Sequence, residues 1–270
     1  MKILDGKELS LFIKERQAKA VRGLRQAEHI IPKLAIIQIK DDPVINTYVR
    51  LKKRYGQDIL VEVEAFFVDQ KNALDTIERL NADTSVHGII VQLPITDTSE
   101  TQKICDAVSP EKDVDALGVN AILEPATPMA ILWLLAGYGL ELNGKKIVLI
   151  GNGKLVGAPL AKLLRSQDQE VEVVDRDTDN LTEKLKNADI IITATGSPAI
   201  LFPEMIKQGA VVVDAGVASE DGKTVGDLHE SVYERDDLIL TPQKGGVGPL
   251  TVCALFENVI TAARLSAQTK

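Results

Sequence analysis

Apolar and polar positions alternate along this chain in two periods that take turns. A helical period over 7–28 is followed by the apolar, β-branched run 33–39, short enough to predict a buried strand. Pro43 stands at a helix start ahead of 44–55, strand 60–68 follows, then helix 71–80 and strand 86–93, which Pro94 stops. A second series opens after the proline-containing segment 124–128 and an apolar helix at 129–138. It runs strand 146–150, helix 155–165, strand 170–175, helix 181–186, strands 189–194, 210–214 and 238–240, and a last helix at 251–264. Strands alternating with helices predict parallel βαβ units, hence an α/β protein of two αβα domains with parallel sheets. The last helix follows a loop, so it is expected to pack back on the first domain and leave the second as an insertion.

The length of 270 residues suits two domains, and 45% hydrophobic with 26% charged residues is ordinary globular composition. A net charge of −8 argues against a nucleic-acid partner, which needs a basic surface. Cys105 and Cys253 are far apart and read as buried thiols; His29, His87 and His229 lack metal-ligand or triad spacing and read as structural. No run approaches ~18 uninterrupted apolar residues, so no membrane helix is expected and the location is expected to be cytoplasmic.

The strand at 146–150 enters Gly151-Asn152-Gly153-Lys154-Leu155-Val156-Gly157, a glycine turn that opens a helix. Glycine lets backbone approach a pyrophosphate, and the helix N-terminus offers free N–H groups to the anion. Asp175 ends the next strand 24 positions on (175 − 151), near the offset at which a carboxylate meets the adenosine ribose. That carboxylate favours NAD and would repel the extra phosphate of NADP, whereas Arg176 beside it favours the phosphate; either cofactor remains open.

Other motifs have a plain reading beside a chemical one. Tyr48 and Lys52 share a helix face at i and i+4, and Lys53 points elsewhere; alone they read as a half-buried tyrosine and a solvated lysine. Gln92 ends an apolar strand where ligands of α/β sheets bind. The carboxylates of Pro110-Glu-Lys-Asp-Val-Asp115 suit a cap or a ligand, and Gly245-Gly-Val-Gly-Pro249 is a shaped loop before a helix N-terminus.

In this order, the motifs Asp42-Pro43, Tyr48-Val49-x-x-Lys52, Val91-Gln-Leu-Pro94, Pro110-x-Lys-Asp-Val-Asp115, Pro125-x-Thr-Pro128, Gly151 with Val156-Gly-x-Pro159, Asp214-x-Gly216 and Thr241-Pro242-x-x-Gly-Gly-Val-Gly-Pro249 resemble the bifunctional methylenetetrahydrofolate dehydrogenase/methenyltetrahydrofolate cyclohydrolase family (FolD-type). The resemblance implies a folate-binding catalytic domain of 1–120 plus 250–270 and a Rossmann-like NAD(P)-binding domain of 121–249, facing a cleft. It implies oxidation of methylenetetrahydrofolate with hydride transfer to NADP or NAD, then hydrolysis of the methenyl product to formyltetrahydrofolate. Lys52 would be the base, Gln92 its orienting partner and Tyr48 a residue that positions the folate rings. Asp115 would hold the pterin, with Gly246 and Pro249 also on the substrate. Gly151, Asn152, Gly153, Gly157, Asp175, Arg176 and Val217 would bind the dinucleotide. It implies tetrahydrofolate derivatives as ligands, no metal, and a homodimer. The chain departs from the family at Asn152-Gly153, where Arg-Ser is usual, at Asp175, and at Ala116, where glycine is usual. Two rival readings are a dehydrogenase of the same architecture acting on a shikimate-type or amino-acid substrate, and a dinucleotide-binding regulator that has lost catalysis.

Overall fold

The computed structural model describes residues 2–220 and 223–268. In chain order the first elements are β1 (Lys2–Ile3), α1 (Gly6–Ala27), β2 (Lys33–Gln38), α2 (Pro43–Asp58), β3 (Glu62–Phe67), α3 (Ala73–Ala82), β4 (Gly88–Gln92), α4 (Thr101–Asp106) and α5 (Ala126–Gly137). There follow β5 (Ile147–Ile150), α6 (Gly157–Ser166), β6 (Val171–Val174), α7 (Leu181–Lys186), β7 (Ile190–Thr193), β8 (Val211–Asp214), β9 (Ala218–Glu220), β10 (Lys223–Val225), β11 (Ile239–Leu240) and α8 (Val247–Gln268). The chain divides into two units: one from Leu11 to Ala126 with Val252 onward, the other up to Ser10 with Thr127–Thr251.

The first unit is built on a three-stranded parallel sheet of order β3-β2-β4. Its central strand is buried from Leu34 to Gln38, as expected of a parallel strand covered on both faces. One side packs Ala35, Ile37, Ile89 and Val91 against Ile77, Leu80 and Ile104. Residues 112–114 run along the free edge of β4, joined by a parallel bridge from Ile89 to Asp113. Gly88 permits this approach, because a Cβ there would lie 2.8 Å from the Val114 side chain. Asp42 caps α2, its carboxylate accepting from the N–H of Val44 at 2.9 Å, and Pro43 follows where no helical N–H is needed.

The second unit carries a six-stranded parallel sheet of order β1-β11-β8-β7-β5-β6 and the antiparallel pair β9 and β10. Its interior is apolar, with Val148, Ile150, Ile191 and Val212 from the strands and Leu185 and Val232 from the layer over them.

Three differences from the sequence reading have local causes. The stretch up to Ser10 belongs with the second unit, because β1 pairs with β11; two residues are too few to show a period. Residues 121–126 lie with the first unit, so the change of unit comes after Ala126. And α8 begins at Val247, so Gly248 and Pro249 lie inside its first turn, where proline costs no hydrogen bond. By length and composition α8 alone among the described helices would cross a membrane. It is a core helix instead: Leu250, Cys253, Phe256, Val259 and Ile260 are all buried.

Candidate active site

The ammonium of Lys52, on α2, donates to Oε1 of Gln92, the last residue of β4, at 2.8 Å. The same amide donates through Nε2 to the carbonyl of Leu93 at 3.1 Å, which fixes its oxygen toward the lysine. Gln92 is only 9% exposed, so its orientation is held by packing as well. Tyr48, one turn before Lys52, is 36% exposed and presents its ring on the same helix face. Lys53 lines a separate open groove of about 410 Å³ with Arg25, Lys33 and Glu64, so adjacent lysines serve different surfaces.

Asp115 completes this group electrostatically. Burial pushes the Lys52 ammonium down from the usual lysine value, and the Asp115 charge opposes that fall. Burial pushes Asp115 up; Lys52 draws it back, while Asp113 adds repulsion. Both side chains keep some accessible surface, but desolvation is the larger influence on each. The Asp115 carboxylate holds no hydrogen bond to another described residue and is free for a ligand.

Asp113 is structural. It is 4% exposed and accepts from the N–H of Gly118 at 2.7 Å, closing the turn 113–118 that presents Asp115. Within that turn Ala116 has φ +55°, a left-handed conformation that disfavours a side chain. Lys112 donates to the carbonyls of Leu80, Asn81 and Asp83 and so caps the end of α3.

Two residues of this region escaped the sequence reading. Gln38 is the register partner of Gln92 on β2, is 8% exposed, and donates to Asn46 at 2.6 Å. A polar residue ending an apolar strand was its signal, the same one that marked Gln92. Asn258, buried in α8, donates to the carbonyls of Val114 at 2.9 Å and Glu124 at 2.8 Å. It ties down both ends of the Asp115 segment, and nothing local in a helical pattern announces that.

In the second unit the glycine turn has the geometry its spacing predicts. Gly151 has φ +102°, and a Cβ there would lie 2.7 Å from the Ala194 carbonyl oxygen. A Cβ on Gly157 would lie 2.1 Å from the Gly151 carbonyl oxygen, so the helix can start only with glycine at that point. Gly153 has open space around its missing Cβ, so packing does not require it. Asp175 lies next to this turn, since Gly151 N–H donates to the carbonyl of Val174 at 2.8 Å. One Asp175 carboxylate oxygen accepts from the Asp177 N–H at 3.0 Å and the Thr178 hydroxyl at 2.9 Å, which fixes the group at the strand end. Arg176 is exposed, its Nε 4.0 Å from Asp177. Val217 is 61% exposed. The turn therefore fits a dinucleotide: a bare backbone at Gly153, a helix N-terminus behind it and a held carboxylate at the end of the next strand.

Gly246 and Pro249 do not join the Lys52 group within its unit; both belong to the second unit by their chain contacts. A Cβ on Gly6 would fall 1.8 Å from the Gly246 carbonyl oxygen, and Lys7 N–H donates to the Gly245 carbonyl at 2.9 Å. This glycine pair thus seats the start of α1. Cys105 and Cys253 are buried thiols, His87 accepts from the Lys33 N–H, and His229 stacks on Phe202.

Residues 4–115 match the tetrahydrofolate dehydrogenase/cyclohydrolase catalytic domain, and residues 125–267 match the NAD(P)-binding domain of the same family. The chain belongs to the tetrahydrofolate dehydrogenase/cyclohydrolase family. It is 38% identical to the bifunctional protein FolD of Lactobacillus acidophilus, over 97% of each chain. Among solved structures it is similar to the FolD methylenetetrahydrofolate dehydrogenase/cyclohydrolase of Campylobacter jejuni, at 35% identity and TM-score 0.91 over 98% of this chain and 99% of that one. The Trypanosoma brucei FolD structure, a complex with NADP and an inhibitor, is 30% identical with TM-score 0.90 over 98% of this chain and 97% of that one. The family resemblance carried by the motifs and the α/β architecture both stand. The likeness to shikimate dehydrogenases, at 14–16% identity, is one of fold alone.

Proposed function

We propose that this protein oxidises methylenetetrahydrofolate to methenyltetrahydrofolate with a nicotinamide dinucleotide, and hydrolyses the methenyl product to formyltetrahydrofolate. The reading rests above all on the 2.8 Å contact between Lys52 and Gln92, with Asp115 as the nearby charge. Folate binds the unit that holds these three, and the dinucleotide binds the unit with the Gly151 turn.

NAD(P), when bound, takes up the hydride. The chain's own residues handle the proton and the water. A lysine whose ammonium is disfavoured by burial carries a larger neutral fraction at any given pH than an exposed one, and a cationic methenyl group beside it raises that fraction. Neutral Lys52 accepts a proton from the water that adds to the methenyl carbon, while the Gln92 oxygen holds the amine in line. Tyr48 stacks against the folate rings, and Asp115 accepts paired hydrogen bonds from the aminopyrimidine edge. Gly151, Asn152, Gly153 and Gly157 take the pyrophosphate, with Val217 along the dinucleotide.

On the adenosine side the reading favours NAD. Asp175 is fixed by its own turn, and its second oxygen is free to accept from a ribose hydroxyl, where a 2′-phosphate would be repelled. Arg176 is exposed and 4.0 Å from Asp177, a loose surface pair that adds little to the choice. The reading includes a cytosolic homodimer.

The test is turnover of methylenetetrahydrofolate by purified protein with NAD and, separately, NADP, following reduced nicotinamide and methenyl product together. Reduced cofactor without lasting methenyl product is expected, faster with NAD. Binding of a dinucleotide without any turnover would replace this reading with that of a regulator.

A further inference from the structure

The second unit holds two carboxylates that the proposed chemistry does not use, Asp214 half-buried and Asp227 fully buried. Asp214, at the end of β8, accepts from the Thr193 hydroxyl at 3.1 Å and from the N–H groups of Gly216 at 2.9 Å, Asp227 at 3.0 Å and Leu228 at 3.3 Å. Asp227 has no accessible surface, and its oxygens accept from the N–H of Thr195 at 2.7 Å and of Ser197 at 3.0 Å. The fold makes room for both. A Cβ on Gly216 would fall 2.0 Å from the Asp227 carboxylate, and one on Gly226 would fall 2.0 Å from that of Asp214. Enclosing a carboxylate as fully as Asp227, with a second acid half-buried beside it, costs stability that only its hydrogen bonds offset.

What Asp227 holds is the turn after β7. Gly196, between its two donors, has φ +64° and is exposed, and a Cβ there would lie 3.3 Å from the Val217 carbonyl oxygen. One residue before the turn, the Ala194 carbonyl abuts Gly151. The carboxylate therefore sits beneath the place where three loops meet: the glycine turn, the Gly196 turn and the segment carrying Val217.

We propose that Asp227 is a positioning residue for the dinucleotide, holding the Thr195–Ser197 turn against Val217 and beside Gly151 without itself touching the cofactor. The inference rests on the reading that the Gly151 turn binds NAD(P). A carboxylate suits the task because it accepts from both N–H groups at once and has no donor to misplace. An asparagine of the same shape accepts through one oxygen only and turns an amide toward the second N–H.

The test uses the full chain with Asp227→Asn, measuring Kd for NADH and NADPH by titration, KM for the oxidised dinucleotides, and the rate of methenyltetrahydrofolate hydrolysis. Loss of one charge-assisted hydrogen bond in a buried pair predicts Kd and KM raised about 10-fold or more. Hydrolysis, which belongs to the Lys52 unit, should stay within about twofold. Thr195→Val gives a gentler variant, because the Thr195 hydroxyl also accepts from the Ser197 N–H at 3.0 Å; it should weaken dinucleotide binding less, in the same direction. Unchanged dinucleotide affinity in both variants, or a parallel fall of both activities, overturns the proposal. A wild-type protein that bound neither dinucleotide would remove the underlying reading and this inference with it.

Discussion

Asp115 opposes what burial does to Lys52: desolvation lowers the affinity of the amine for its proton, and the carboxylate raises it. The sign of a pH effect follows. In the proposed mechanism the active form of Lys52 is neutral, so hydrolysis of methenyltetrahydrofolate should rise with pH through a pKa below the ordinary lysine value of 10.5. Asp115→Asn removes the charge that favours the ammonium, so at saturating substrate the rise in kcat should move to lower pH, while KM for the folate increases. The check is kcat against pH for both proteins after subtraction of the uncatalysed rate. A rise displaced to higher pH in the variant would contradict the assignment.

Asp175, proposed to meet the adenosine ribose, is held by Asp177 and Thr178. Asp175→Ser should shift the ratio of kcat/KM with NADP to that with NAD upward by about 10-fold, corresponding to ~1.4 kcal/mol. Steady-state kinetics with each cofactor measures it directly. A ratio that does not move would place the discriminating group elsewhere, with Arg176 the next residue to replace.

Ala116 occupies a left-handed backbone conformation beside Asp115. Glycine enters that region freely, at the cost of a more flexible unfolded chain. The balance predicts that Ala116→Gly stabilises the unit by about 0.5–1 kcal/mol, seen as a higher denaturation midpoint. A lower midpoint would mean that the methyl group contributes packing worth more than the strain it carries.

Legibility in the sequence tracked the range of the interaction. The βαβ alternation, the Gly151–Gly157 turn and Asp175 were readable because each is a local pattern with a backbone cause. From spacing alone Lys52 and Gln92 were readable only singly, as a face and a strand end; the family resemblance paired them, and α2 folding over β4 is what brings them together. Spacing alone does not separate Asp113 from Asp115; the resemblance picked out Asp115, and the Gly118 N–H on Asp113 supplies the physical reason that Asp113 closes the turn. β1 was invisible because two residues carry no period, and its parallel partner β11 lies more than 230 positions away. Asn258 and Asp227 were missed for the same reason: what each holds is backbone from distant segments, which leaves no trace around the residue itself.

The measurement closest to the centre of the account is the hydrolysis of methenyltetrahydrofolate by Lys52→Met, with dinucleotide binding measured on the same preparation. The lysine is predicted to supply general base catalysis, so the rate should fall at least ~100-fold while NAD(H) affinity stays the same. Hydrolysis at the wild-type rate would contradict the role of Lys52 and, with it, the meaning given to its contact with Gln92.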